Sequence, residues 1–298
     1  MNRSQLLSAL KLDRFIAFDF ETTGLEVSND RPIEVAAVMF EKGKPSDRFC
    51  TLINPQQPIS NLIHEITGIS NDMVSEAPLE KDIIDDLLNF LGDIPIVAHN
   101  TPFDVSFLQA MADRNGKKLP DRKYYDTLTL SRAFLFFQPT HNLSAVSEFF
   151  NLSAEGAHRA EKDTENCGEV FVELVNEVAS YNLKLISSIV SFLTPFEAYN
   201  KDLFIDIANY LTKSGNIKKG ISLSELEKPT NKNLIRTNES IDEIVLRFLL
   251  KKNKENNIYR NNLKLLWECC QIPDFEKKAY GQHVNIVETV FKFLSLKK

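Results

Sequence analysis

The feature that most restricts the fold is the run at residues 15–21, FIAFDFE, where two carboxylates two positions apart interrupt an otherwise apolar segment. Alternation places Phe15, Ala17, Asp19 and Glu21 on one side of a strand and Ile16, Phe18 and Phe20 on the other. Apolar residues on both sides describe a strand covered on both faces, at the centre of a sheet. Two ionised carboxylates side by side in such a place repel each other and are costly to desolvate. A cation between them resolves the conflict, and hard oxygen donors suit Mg²⁺ or Mn²⁺. The competing reading is a polar strand end that faces water.

Around this strand the order of elements reads as an α/β domain. Residues 32–41 and 48–53 are two further β-rich runs, with Gly43-Lys44 between them as a hairpin turn. A helix follows over residues 79–91, with Ile83, Ile84, Leu87, Leu88 and Leu91 at helical spacing and Gly92 just past its end. Next come a short apolar strand at 95–98, a helix at 103–115 and a short strand at 124–127. Two more helices complete this half, at 143–151 and 160–180, the second with an apolar stripe of Cys167, Val170, Phe171, Leu174, Val175 and Val178. The pattern is that of an RNase H-like mixed sheet flanked by helices, although other α/β folds share the order.

Past residue 181 helix signals dominate. Ser222 with Glu225 and Ser240 with Glu243 read as capping boxes, while 213–219 and 229–238 read as exposed linkers. The expected division is an α/β domain at 1–180 and a small all-α region at 181–298, in which Leu263, Leu266 and Trp267 belong to a helical core.

Composition narrows the setting. The four cysteines (50, 167, 269, 270) form no CxxC pair, which argues against structural zinc and against a disulfide framework and favours a reducing cytosol. No segment approaches the roughly 20 apolar residues of a membrane span, so the expectation is a soluble, cytoplasmic protein. A net charge of −6 speaks against a polyanionic partner, but carboxylates that bind divalent cations count as negative only until they are loaded. Lys117, Lys118, Arg122 and Lys123 form one local basic patch, equally readable as a solvated loop.

Three more residues carry potential chemistry. Asp104 opens a helix in AHNTPFD, where an aspartate also complements the macrodipole. Asp163 lies one turn before Cys167, on the helix face that bears the apolar stripe, and a charge there needs a partner. His158 precedes that helix, on a loop from which its ring can reach the same centre; alone it would read as a surface histidine.

Together these segments resemble the DEDDh branch of the DnaQ-like 3′→5′ exonucleases, in the proofreading type represented by the epsilon subunit of bacterial replicative polymerase. The motifs are AFDFETTGL, VAHNTPFDVSFL and HRAEKD, connected by IHEITGIS, YYDTLTLSRAF and HNLSAVSEFF, in family order over residues 13–180. The resemblance implies that Asp19, Glu21, Asp104 and Asp163 hold two Mg²⁺ or Mn²⁺ ions, with Asp19 as their bridge, and that His158 is the general base. It also implies that Thr22, Thr23, Gly24 and Leu25 hold the 3′-terminal nucleotide, with Leu25 wedged against the base and His99 and Phe103 lining the pocket. Asn100 is expected to organise its loop. The function implied is removal of nucleotides from single-stranded 3′ ends, with DNA preferred over RNA in proofreading or repair. An RNA-trimming enzyme and an interaction subunit, docked to a polymerase or helicase through its helical tail, are the alternatives.

Overall fold

The structure is a computed structural model and describes residues 3–135, 138, 140–152, 160–181, 183–193 and 198–213. His158, both expected capping boxes, the segments read as linkers beyond residue 213, Trp267 and Cys269-Cys270 lie outside the described residues.

The described chain divides into two compact units, one of residues 1–127 with 142–172, the other of 128–141 with the chain from 173 on. The first contains a five-stranded mixed sheet: β1 (Arg14–Thr22), β2 (Pro32–Glu41), β3 (Lys44–Leu52), β4 (Ile96–Ala98) and β5 (Tyr124–Asp126). The strand order is 3-2-1-4-5, with β1–β3 an antiparallel meander and β4 and β5 parallel to β1. The central strand is β1, as its two-sided apolar pattern requires. The hairpin turns at Lys42-Gly43 instead of Gly43-Lys44, with φ of 54° and 81° at the two positions. Both central residues of a tight primed turn need positive φ, and glycine serves the second.

Each face of the sheet has its own cover. Ile16, Phe18 and Phe20 join Val35, Ala37 and Met39 in a core closed by Ile83, Ile84, Leu87 and Leu91 of helix α4 (Glu80–Leu91) and Phe107, Leu108 and Met111 of helix α5 (Thr101–Arg114). On the other face Phe15 stacks on Phe40 at 4.9 Å and meets Phe171 edge-on at 5.2 Å, and Phe171 stacks on Tyr125 at 5.3 Å. Phe171 belongs to helix α8 (Ala160–Ala179), whose Gly168 lies directly against the Phe40 ring.

Short helices not foreseen from the pattern are α1 (Arg3–Ala9), α2 (Asn61–Thr67), α3 (Asn71–Ser75) and α6 (Thr127–Phe134); α7 (Leu143–Phe149) stands where expected. In the second unit Phe134 meets Tyr181 at 5.3 Å and Phe204 at 6.1 Å, and helices α9 (Leu183–Leu193) and α10 (Lys201–Lys213) pack on each other. Among the described residues no helix is long and apolar enough to cross a membrane.

Candidate active site

The fold brings four of the expected acidic residues into one electrostatic neighbourhood. Asp19 and Glu21 leave β1 on the α8 side, opposite Phe18 and Phe20 in the α4–α5 core. Parallel pairing of β1 with β4 carries the chain after Ala98 to the same edge, where α5 begins. Asp104, in the first turn of α5, is 2% exposed, and its Oδ1 accepts the Phe20 N–H at 3.0 Å. The carboxylate is thereby fastened to the strand that carries Asp19 and Glu21. Asp163 comes from the first turn of α8, the helix laid over that face.

The start of α5 has its own anchor. Asn100 takes φ +81°, a left-handed cap that asparagine tolerates, and Asp126, at the end of β5 and fully buried, accepts the N–H groups of Asn100 (3.0 Å) and Thr101 (3.4 Å). The Thr101 hydroxyl donates to Tyr125 O at 2.6 Å. Asn100 thus organises its loop through its backbone.

The electrostatics show how closely these groups feel one another. Burial, then the charges of Asp163 and Glu34, push the Asp19 carboxyl up to about 7. Burial, then Asp19, Glu34 and Asp163, push Glu21 up to about 8. Asp104 is raised well above the usual carboxylate range by burial and by Asp19, against the lowering effect of the Phe20 N–H. Glu34 enters as a fifth carboxylate because it stands opposite Glu21 in the β1–β2 register. Like charges directly opposite on neighbouring strands destabilise a sheet, and local conflicts of this kind concentrate at functional sites.

Among the described residues no three His, Cys, Asp or Glu side chains already form a cage for an ion. The donor set nevertheless fits a divalent cation: hard oxygens, mutually repelling, partly out of water, in a field that a positive ion would neutralise.

This has a measurable consequence. Acids near 7 and 8 in the folded protein titrate near 4 in the unfolded chain. Between those values the folded state binds more protons, so the cluster's contribution to stability falls as pH rises. Without divalent cations, melting temperature is expected to drop between pH 5 and pH 8.5 more steeply for wild type than for Asp19→Asn. Added Mn²⁺ should reverse the loss at pH 8. Thermal melts in EDTA check this, and parallel pH profiles for the two proteins would contradict it.

The expected nucleotide-binding residues divide into two kinds. Leu25 is 78% exposed. The Thr22 hydroxyl donates to Gly24 O at 2.6 Å, and the Thr23 hydroxyl donates to Asp30 Oδ1 at 2.9 Å while accepting from Arg31 N and Gln57 Nε2. Both hydroxyls are therefore engaged within the protein, whereas the Leu25 side chain is open to solvent. His99 Nδ1 lies 2.8 Å from Thr127 Oγ1, and Phe103 is half-buried, tilted against Phe107 at 4.9 Å. Of the basic patch, Lys117 pairs with Asp85 and Arg122 is buried, donating to Gly92 O.

Asp30, Glu34 and Asp126 were not singled out from the sequence. Glu34 carried a usable signal, a lone carboxylate in the apolar run PIEVAAV; Asp30 and Asp126 carried none before the loop and the strand pairing were known.

Fold and site define a nuclease class: a carboxylate cluster at the end of the central strand of an RNase H-like mixed sheet. The profile of the exonuclease family named for RNase T matches residues 16–171, just over half of the chain. The chain belongs to this exonuclease family. It is 36% identical over 217 residues to the DNA polymerase III PolC-type of Caldanaerobacter subterraneus subsp. tengcongensis, a match that covers 72% of this chain and 15% of that protein. It is also 36% identical over 167 residues to the 3′-5′ exonuclease DinG of Bacillus subtilis, covering 55% of this chain and 18% of the relative. The chain thus spans less than a fifth of either relative. In fold it is similar to E. coli Exonuclease I in complex with a dT13 oligonucleotide, with a TM-score of 0.50, 18% identity and coverage of 55% of this chain and 41% of the other.

Proposed function

We propose that this chain removes nucleotides one at a time from single-stranded 3′ ends of DNA, in a proofreading or repair setting. The observation that supports it most is the joint field of Asp19, Glu21, Asp104 and Asp163, in which burial and like charge hold acids in their protonated form up to neutral pH. Outside a cation site such an arrangement is a net cost to the fold.

In this reading Asp19, Glu21, Asp104 and Asp163 hold two Mg²⁺ or Mn²⁺ ions. When bound, such ions supply water activation and neutralisation of charge on the phosphoryl and leaving 3′ oxygens. The residues do the rest. Asp104, fastened to the Phe20 N–H, fixes α5 against β1 and keeps the carboxylates in register. His158 accepts the proton of the attacking water, a role that an imidazole side chain suits near neutrality. Leu25 and the backbone of residues 22–24 seat the terminal nucleotide, with His99 and Phe103 beside it.

The preference for DNA is supported by the relative named as a DNA polymerase. The polymerase relative also supports a partner: we place this nuclease, residues 1–180, in the service of a larger nucleic-acid machine, a polymerase or a helicase, docked through residues 181–298. The proposed location is the cytoplasm, which suits the unpaired thiols Cys50 and Cys167.

The test is degradation of matched, 5′-labelled DNA and RNA single strands by the full chain with Mg²⁺, with Mn²⁺ and with EDTA. The expected result is a ladder shortening from the 3′ end, faster on DNA and abolished by EDTA. Faster loss of RNA would replace the DNA reading with the exoribonuclease one, and undiminished cleavage in EDTA would overturn the metal-dependent mechanism.

A further inference from the structure

The turn that joins β1 to β2 is organised by one carboxylate outside the acidic cluster, that of Asp30. Asp30 Oδ1 accepts the Thr23 hydroxyl at 2.9 Å, and Oδ2 accepts the Glu26 N–H at 2.8 Å. The Asp30 N–H returns to Glu26 O at 2.7 Å, and Thr23 N–H donates to Arg31 O at 2.9 Å. Thr23 Oγ1 also accepts from Arg31 N at 3.0 Å and from Gln57 Nε2 at 2.6 Å, which ties in the segment leading to α2. One half-buried acid therefore closes the turn from both ends.

The same carboxylate explains the glycine of the motif. A Cβ built on Gly24 would stand 2.5 and 2.6 Å from the two Asp30 oxygens and 2.7 Å from the carbon that bears them. Gly24 is not in the left-handed region, so its need for glycine comes from what sits beside it. The obstacle is the end of a side chain, but one pinned by two hydrogen bonds. An alanine at 24 and the observed Asp30 arrangement exclude each other.

We infer that Asp30 is a positioning residue for nucleotide binding: it holds residues 22–25 in the shape that presents Leu25 and the Gly24 backbone to the 3′-terminal nucleotide. The inference rests on the reading that this segment holds that nucleotide. A turn pinned before the substrate arrives loses no ordering entropy on binding. Released, it must be ordered by the substrate, so apparent affinity falls while the carboxylate cluster is untouched. The consequence is a rise in KM with little change in kcat.

The experiment measures KM and kcat for the full chain on a labelled single strand, with thermal melting alongside, for Asp30→Ala, Gly24→Ala, the double variant and Leu25→Ala. Asp30→Ala and Gly24→Ala should each raise KM about tenfold, which corresponds to about 1.4 kcal/mol of binding, and alter kcat less than about threefold. The double variant should be no worse than either single one, because both substitutions dismantle the same arrangement and coupled sites do not add. A wild-type KM in Asp30→Ala, or KM effects that multiply in the double variant, overturns the inference. So does a lowered melting temperature with KM unchanged, the mark of a purely structural role. If Asp30→Ala melts below the assay temperature, Asp30→Asn, which keeps the acceptor for Thr23 and spoils the one for Glu26, should show a smaller KM rise in the same direction. Leu25→Ala separates the two levels. An unchanged KM there removes the nucleotide-binding reading itself; a raised KM there with none in Asp30→Ala removes only the positioning role.

Discussion

Asp19→Asn is expected to lower kcat by about 10³-fold or more and, in the same protein, to raise the melting temperature measured in EDTA at pH 8. The first effect follows because the amide keeps the shape of the carboxylate but removes one negative donor from the proposed cation site; loss of one fixed electrostatic stabiliser of a transition state costs about 10²–10³-fold, and a donor that would also help to retain the ions should reach or exceed the upper end of that range. The second follows from the repulsion. Asp19 is one cause of the raised carboxyls of both Glu21 and Asp104, so a neutral group there relieves two neighbours at once. Activity and stability thus move in opposite directions, as at sites where function is held against the preference of the fold. Single-turnover rates and thermal melts on one preparation decide it. Retention of a tenth of the activity would sink the proposed role of Asp19, and loss of activity with a lower melting temperature would assign Asp19 to the fold instead.

How far the site was legible depended on whether periodicity alone could place a residue. Period two put Asp19 and Glu21 on the face opposite Ile16, Phe18 and Phe20, and this is how β1 is built. Period 3.6 put Asp163 in line with Cys167, and α8 lies against the sheet on that side. Glu34 was equally on its strand face, but only the register that sets it opposite Glu21 makes it part of the cluster, and pairing register depends on another strand. Asp30 and Asp126 act through backbone groups that loops and parallel pairing bring to them, and no local pattern announces this. The hairpin slipped by one residue because the glycine serves the second turn position and Lys42 takes the first with φ 54°. Helix α2 was missed because it spans only seven residues and leaves Leu62 and Ile66 exposed, with the partly buried Ile63 packed on a small cluster of its own. His158, expected from the HRAEKD motif as the general base, lies outside the described residues.

The other large effect is expected from packing alone, at Gly168. Helix propensity alone favours alanine there by about 1 kcal/mol, so a helix considered in isolation predicts stabilisation by Gly168→Ala. Packing reverses the sign. The added Cβ would fall 2.2 and 2.3 Å from Cε2 and Cζ of Phe40, well inside contact distance. Phe40 cannot easily yield, since it is fully buried and stacked on Phe15, which in turn meets Phe171 of the same helix. Overpacking a filled core costs roughly 1–3 kcal/mol and sometimes more, and an overlap this deep belongs at the upper end. The net expectation is a loss of about 2 kcal/mol, or a melting temperature lower by roughly 4–8 °C. Activity should fall with it, because Asp163 stands five residues earlier on the helix and moves when α8 lifts from the sheet. A smaller ring partner tests the cause: Phe40→Leu combined with Gly168→Ala should be more stable than the sum of the two single losses predicts. Urea unfolding of the four proteins measures that coupling, and strictly additive losses would mean that the Gly168–Phe40 contact does not set how closely α8 approaches the sheet.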